Sequence, residues 1–343
     1  MYWFDIPFRP VNWGFVSVPA FRWGLIGAGD IARKRVAPAM RESPTSALIA
    51  VSRARAELAA AFAAEFGADR WHAHWQDLVT DRGIDGVYVA TTVDVHAAQA
   101  IAAAEAGKHV LCEKPMAMTA AECDRMIAAC RANGVTLGVA FYRRFYPAIV
   151  RTKAIIEAGD IGMPVVAQMN ALEWFDPDAY HPRGWLLTRA RAGGGPMMDF
   201  GCHRLEVLVN LFGAVRSAAA LTANVCFDRD VEDTAAVLLR FDRGPCASVT
   251  VTHAVHDRQD TFDVFGTRGS IRCRSLNAGE LRITVGDRER IEVHPPAANV
   301  HQPLIEDFVA AVAANRQPAV NGEVGRQIAA IEDQIYGVTA TLR

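Results

Sequence analysis

Apolar and polar positions follow one rhythm up to about residue 141 and another beyond it. In the first part, short apolar runs read as strands: Phe21–Ile26, Ala47–Val51, Gly86–Ala90, His109–Cys112 and Val135–Phe141. A stretch from about Asp30, the alanine-rich Ala54–Phe66 closed by Gly67, and His96–Ala106 closed by Gly107 read as helices between them. Thr119 and Glu122 stand three apart ahead of an apolar-periodic run. That is a capping box, and it predicts a helix ending near Asn133. Strands alternating with helices of this length predict a parallel sheet covered on both faces.

After Gly162-Met163-Pro164 the texture changes. Val165–Leu172, Ser217–Phe227, Thr234–Phe241, Ala247–Ala254 and Thr261–Phe265 read as strands, several with polar-apolar alternation. Such alternation predicts an antiparallel sheet with one covered and one open face. Helical stretches are expected at Met198–Phe212, at Pro303–Asn315 and near the C-terminus. The chain is therefore expected to be α/β with two domains. The divisions predicted are an aromatic arm over 1–20, a β-α domain over 21–142, and a second domain over 143–343 with a mostly antiparallel open sheet.

Composition narrows the class. The 343 residues carry a formal charge of −2, which argues against a nucleic-acid binder. No apolar run approaches the ~18 residues of a membrane span. The first twenty residues lack a basic start and an apolar block, so no secretory signal is expected. Seven cysteines without a C-x-x-C pair suit free thiols in a reducing, cytoplasmic setting, with no metal site. Lysine is scarce: four of 36 basic residues. Each lysine therefore says more than usual.

Gly27-Ala28-Gly29-Asp30-Ile31-Ala32 matches G-x-G-x-x-A between a strand and a helix. The first glycine permits the tight turn and the second lets backbone approach a pyrophosphate, while the helix N-terminus offers amide donors to the anion. A carboxylate about 20 residues further on usually takes the ribose 2′-hydroxyl of NAD. Here Ser52 and Arg53 close the second strand, with no acidic residue between Glu42 and Glu57. A guanidinium fork suits a 2′-phosphate. NADP(H) is the favoured cofactor, with NAD(H) as the alternative.

Three further features fall where strands deliver residues to the carboxyl edge of such a sheet. They are Thr91–His96, Glu113-Lys114-Pro115, and the glycine-rich run leading to Asp199-Phe200-Gly201-Cys202-His203. Asp199 and His203 are i and i+4, on one face of a helical turn.

Together, WGLIGAGDIA, the Glu-Lys-Pro triplet and GGGPMMDFGCHRLE resemble the glucose–fructose oxidoreductase / inositol dehydrogenase / rhizopine-catabolism (Gfo/Idh/MocA) family, from about Phe21 to the C-terminus. The resemblance implies a Rossmann domain joined to an α/β domain with an open sheet. It also implies NAD(P)-dependent oxidation or reduction of sugars, cyclitols and related compounds. The family's catalytic trio maps onto Lys114, Asp199 and His203. Where the family often has an aspartate three residues past the histidine, this chain has Glu206.

Histidine exchanges protons near neutral pH, so His203 is the expected base and Lys114 the cation beside a developing alkoxide. Asp199 would hold substrate or orient His203. Thr91, His96 and Glu113 are expected near the nicotinamide and ribose, although His96 could equally cap its helix and Glu113 could equally be structural. Tyr142, Arg144, Trp174 and Trp185 are candidate substrate contacts. The arginines of Tyr142-Arg143-Arg144 can meet a substrate anion or pair with protein carboxylates, and pairing is the expectation. The open sheet predicts a homodimer or homotetramer. Two rival functions are carried forward: a redox-neutral, NAD-dependent glycoside hydrolase and a non-catalytic dinucleotide sensor.

Overall fold

A computed structural model describes residues 20–178 and 180–337. The aromatic residues of the expected arm lie outside them. β1 (Phe21–Ile26), β2 (Ser46–Ser52), β3 (Arg70–His72), β4 (Gly86–Val89), β5 (His109–Cys112) and β6 (Leu137–Val139) pair in parallel, in the order β3-β2-β1-β4-β5-β6. β4 is buried along its whole length, as a parallel strand with helices on both faces must be. β3 went unpredicted because Arg-Trp-His at an exposed edge makes no apolar run. The strand order reverses between β1 and β4, which opens a crevice at the carboxyl ends of the strands.

Local signals set the helix ends. Thr119 Oγ1 accepts from Glu122 N at 3.2 Å and starts Ala120–Ala132. The return half of the predicted capping box moves by one residue, since Glu122 Oε2 accepts from Met118 N rather than Thr119 N.

The second sheet has eight strands: β7 (Pro164–Trp174), β8 (Val215–Ala223), β9 (Thr234–Phe241), β10 (Cys246–Thr252), β11 (Ala254–Gly266), β12 (Gly269–Cys273), β13 (Glu280–Val285) and β14 (Arg288–Val293). Their order is β14-β13-β12-β11-β7-β10-β9-β8, antiparallel except where β7 meets β10. β9 alternates between buried and exposed positions, the predicted one-sided pattern. β13 and β14 form a hairpin that was not predicted: β14 is charged and mostly exposed, while β13 buries Leu281 and Ile283 between charged positions.

The last two helices, Gln302–Ala313 and Gly322–Gly337, return to the first domain. Phe308 packs its ring on Trp23 (5.5 Å between centroids) and Phe21 (6.2 Å), and Val139 N donates to Val320 O at 3.0 Å. Part of the segment expected to belong to the second domain thus covers the first sheet. No helix among the described residues is long and apolar enough to cross a membrane.

Candidate active site

A cleft of about 1180 Å³ runs from the glycine loop to the second sheet. At one end Gly27 has φ +92°, and a Cβ there would lie 2.6 Å from the Ala90 carbonyl oxygen. Only glycine fits. Gly29 differs: the nearest atom to an added Cβ would be 4.0 Å away, so its bare backbone faces open room in the cleft. That is the approach a pyrophosphate needs, and the residues present fit a dinucleotide. Gly27→Ala should weaken dinucleotide binding by roughly 5- to 150-fold, the equivalent of about 1–3 kcal/mol of backbone strain. Titration calorimetry tests this, and unchanged affinity would remove the turn from the binding site.

Ser52 is buried at the end of β2, and its carbonyl accepts from Gly27 N and Ala28 N at 3.1 and 3.2 Å. Arg53 Nη1 donates to Ala28 O at 2.8 Å. Burial, then the like charges of Arg55 and Arg33, lower its pKa. Arg33 is paired with Glu65. This end of the cleft is lined by the guanidinium groups of Arg53 and Arg55, with Arg33 behind them.

Asp30, Ile31, Thr91 and His96 line the same cleft. His96 is buried between two carbonyls, with Nδ1 2.9 Å from Pro115 O and Nε2 3.2 Å from Thr91 O. It ties the loop after β4 to the loop after β5, so the bracing role accounts for its geometry. Glu113 Oε1 accepts from the Tyr88 hydroxyl at 2.8 Å and lies 3.2 Å from His301 Nε2, while its Oε2 accepts from Lys114 N at 3.2 Å. Burial works against the Glu113 charge, but His301, Lys114 and Tyr88 outweigh it and hold the carboxyl below its usual range.

The fold brings Lys114, Asp199 and His203 together. Lys114 leaves β5. Asp199 sits in a π-helical turn, Met197–Gly201, that runs into the helix Cys202–Phe212 carrying His203. Such turns are frequent at functional sites. Lys114 Nζ donates to Asp199 O at 2.6 Å and lies 3.7 Å from its Oδ1. Burial opposes the Lys114 charge, yet Cys202, Asp199 and Glu113 raise its pKa.

His203 is buried between Phe141 and Tyr142, whose ring centroids lie 5.8 and 4.6 Å away. Burial, then Lys114, Arg143, Arg204 and His301, push its pKa far below the ordinary value. Both causes favour the neutral imidazole.

Two neighbours of Asp199 were not foreseen. Arg183 Nη2 donates to Asp199 Oδ2 at 2.6 Å, and His253 Nε2, fully buried, lies 3.6 Å from the same oxygen. Burial opposes the Asp199 charge, but His253, Lys114 and Arg183 hold the carboxyl well below its usual range. His203 Nδ1 has no hydrogen-bond partner among the described residues. The carboxylate is thus engaged by other groups, and orienting His203 is not what this geometry assigns to it.

Tyr142 and Trp185 line the cleft, whereas Arg144 and Trp174 are not part of its wall. Arg144 Nε donates to Glu206 Oε1 at 2.6 Å. That ion pair gives Glu206 a structural occupation and Arg144 the protein carboxylate that was expected. Trp174 stacks on His256 at 4.0 Å, nearly parallel. The pairing partners of Arg144 and Asp199 come from distant segments, so nothing in the local sequence announces them.

Comparison with known proteins gives the chain's relatives. The oxidoreductase family model with an NAD-binding Rossmann fold, GFO_IDH_MocA, matches residues 21–141, and the GFO/IDH/MocA C-terminal domain model matches 149–272. The chain is 33% identical to a 1,5-anhydro-D-fructose reductase of Ensifer adhaerens, over 89% of this chain and 92% of the relative. It is 29% identical to a levoglucosan dehydrogenase of Pseudarthrobacter phenanthrenivorans, covering 91% and 94%. A solved levoglucosan dehydrogenase in complex with NADH and levoglucosan superposes with a TM-score of 0.85 at 29% identity, covering 93% of this chain and 97% of the other. With both domains matched in order and the glycine loop and the Lys114–Asp199–His203 cluster in one cleft, this chain belongs to the Gfo/Idh/MocA family of oxidoreductases.

Proposed function

We propose that the protein transfers a hydride between a nicotinamide dinucleotide and a carbon bearing a hydroxyl or ketone in a sugar, cyclitol or related small molecule. One observation carries this reading: Lys114, Asp199 and His203 share the cleft that begins at the glycine loop. When bound, the nicotinamide supplies the hydride acceptor or donor. The neutral His203 takes the substrate hydroxyl proton, as a base must. The Lys114 ammonium holds the oxygen on which negative charge grows. Asp199, fixed by Arg183 and His253, keeps Lys114 in place.

NADP(H) is the proposed partner, because Arg53 and its arginine neighbours stand where an NAD site would place a carboxylate. Thermal stabilisation by NADPH, NADP⁺, NADH and NAD⁺ at matched concentrations tests it. A ligand at 100 times its dissociation constant adds about 2.7 kcal/mol to the folded state. Equal or stronger stabilisation by NAD(H) would remove Ser52 and Arg53 from a phosphate role and leave the dehydrogenase reading standing. Net reduction of cofactor with substrate separates a dehydrogenase from the redox-neutral hydrolase and from the sensor.

A homo-oligomer through the open sheet is part of the same reading. Leu221 and Leu238 are 58% and 64% exposed on neighbouring strands β8 and β9. A cytoplasmic setting fits the seven free cysteines.

A further inference from the structure

On one wall of the cleft, a single carboxylate serves two buried arginines. Arg143, in the turn Tyr142–Phe145, is 6% exposed, and Arg204, in the helix Cys202–Phe212, is 4% exposed. Both line the cleft, as does Asp260 of β11 between them. Asp260 Oδ2 lies 3.4 Å from Arg143 Nη1, and its Oδ1 lies 2.5 Å from Arg204 Nη2. The Nε of each arginine is buried and has no hydrogen-bond partner among the described residues. Arg204 Nη1 donates to Phe200 O at 2.9 Å, but buried charges are normally matched, and here two cations lining the cleft share one carboxylate, so the wall lacks a counter-charge.

Nearby carboxylates are engaged elsewhere. Asp199 already stands between Lys114 and Arg183, again one carboxylate to two cations. Glu113 is held by Tyr88 and His301. His203 feels the imbalance as well: Lys114, Arg143 and Arg204 all resist its protonation.

The geometry points to a substrate that brings its own oxyanion, a sugar carrying a carboxylate or a phosphate ester, seated on Arg143 and Arg204. This specificity rests on the dehydrogenase reading of the same cleft. A guanidinium binds either group through paired N–H donors. The bound anion also offsets the field that lowers the proton affinity of His203, so it prepares the base as it docks.

The test compares D-glucose with D-glucuronate and D-glucose 6-phosphate, and D-galactose with D-galacturonate and D-galactose 6-phosphate. Within each set the compounds differ at C6 alone. The expected result is a KM at least about tenfold lower for an anionic member than for its neutral parent, in line with a charge-assisted hydrogen bond. The uronate and phosphate arms show which anion fits. Arg143→Gln and Arg204→Gln should each reduce the anionic-to-neutral preference by about tenfold, and stabilisation by cofactor checks that each is folded. If neither folds, loss of the preference on raising salt takes their place.

Turnover of the neutral sugars without gain from either anion overturns the inference and leaves the dehydrogenase intact. If no sugar supports hydride transfer, calorimetry of the cofactor-saturated protein decides. Binding of an anionic sugar that Arg143→Gln abolishes upholds the anion site while the proposed reaction falls. Absence of both binding and turnover overturns the two together.

Discussion

His203→Ala should lower kcat by about 10²- to 10⁴-fold while the dinucleotide still binds, because the change removes the proposed base and leaves the glycine loop intact. The argument rests on the protonation states at the cleft. His203 is buried beside three cations, and burial with their charges keeps its imidazole neutral far below the ordinary histidine range. A neutral imidazole can accept the hydroxyl proton, and it stays available as pH falls. The acidic limb of the rate of alcohol oxidation by the wild-type protein should therefore lie below the ordinary histidine value near ~6.5. Lys114 titrates the other way, held cationic by its neighbours. Lys114→Met should cost about 10²- to 10³-fold in kcat, the scale for losing one stabiliser of a developing oxyanion. Steady-state kinetics beside a cofactor titration tests both variants. Turnover surviving both changes would move the chemistry to other groups.

Asp260→Ala should destabilise the fold by about 3–5 kcal/mol, the usual result of stripping one partner from a buried ion pair. The loss comes from what remains. Arg143 and Arg204 would be left buried, close together and of like charge, and burial followed by Arg143 already lowers the pKa of Arg204. Asp260 itself has a depressed pKa: burial opposes its charge, but the two arginines outweigh it. The sign follows. A carboxyl depressed in the folded state contributes stability above its unfolded value near ~3.9 and loses that contribution as pH falls through the folded value. Denaturant unfolding of wild type and variant at neutral pH and near pH 3 measures it. A variant as stable as wild type at neutral pH would show that the arginines need no counterion.

The β-α half of the fold was legible because its signals are local. Buried parallel strands are continuous apolar runs, Gly67 (φ +73°) closes its helix in the left-handed region, and Thr119 caps the next helix through its own hydroxyl. β3 and β14 lacked an apolar signature, since they are edge strands that face solvent and carry charge, whereas β13 does alternate, with Leu281 and Ile283 buried, and went unread between its charged neighbours. Among candidate site residues, those inside tight motifs could be picked out, and the glycine loop, Lys114, Asp199 and His203 do share one cleft. What could not be read was pairing. Arg183 and His253 reach Asp199 from other segments, and Asp260 joins two arginines that are themselves 61 positions apart. Charge patterns along a chain say which residues need partners, whereas only topology says which they receive. Arg144 shows the point, because its expected carboxylate proved to be Glu206, on a helix of the second domain.

The return of the chain's final helices to the first sheet bears on the order in which the molecule is made. Phe308 completes the apolar surroundings of Phe21 and Trp23, and His301 supplies a partner to Glu113 beside Lys114. A polypeptide emerging from the ribosome presents Trp23 early and Phe308 late, so the dinucleotide-binding half waits through the synthesis of almost everything else before its interior is closed. Contacts so widely separated slow folding, and they leave apolar surface uncovered meanwhile. Closure of the first sheet therefore depends on a segment made after the second sheet, and His301 of that segment also lines the cleft.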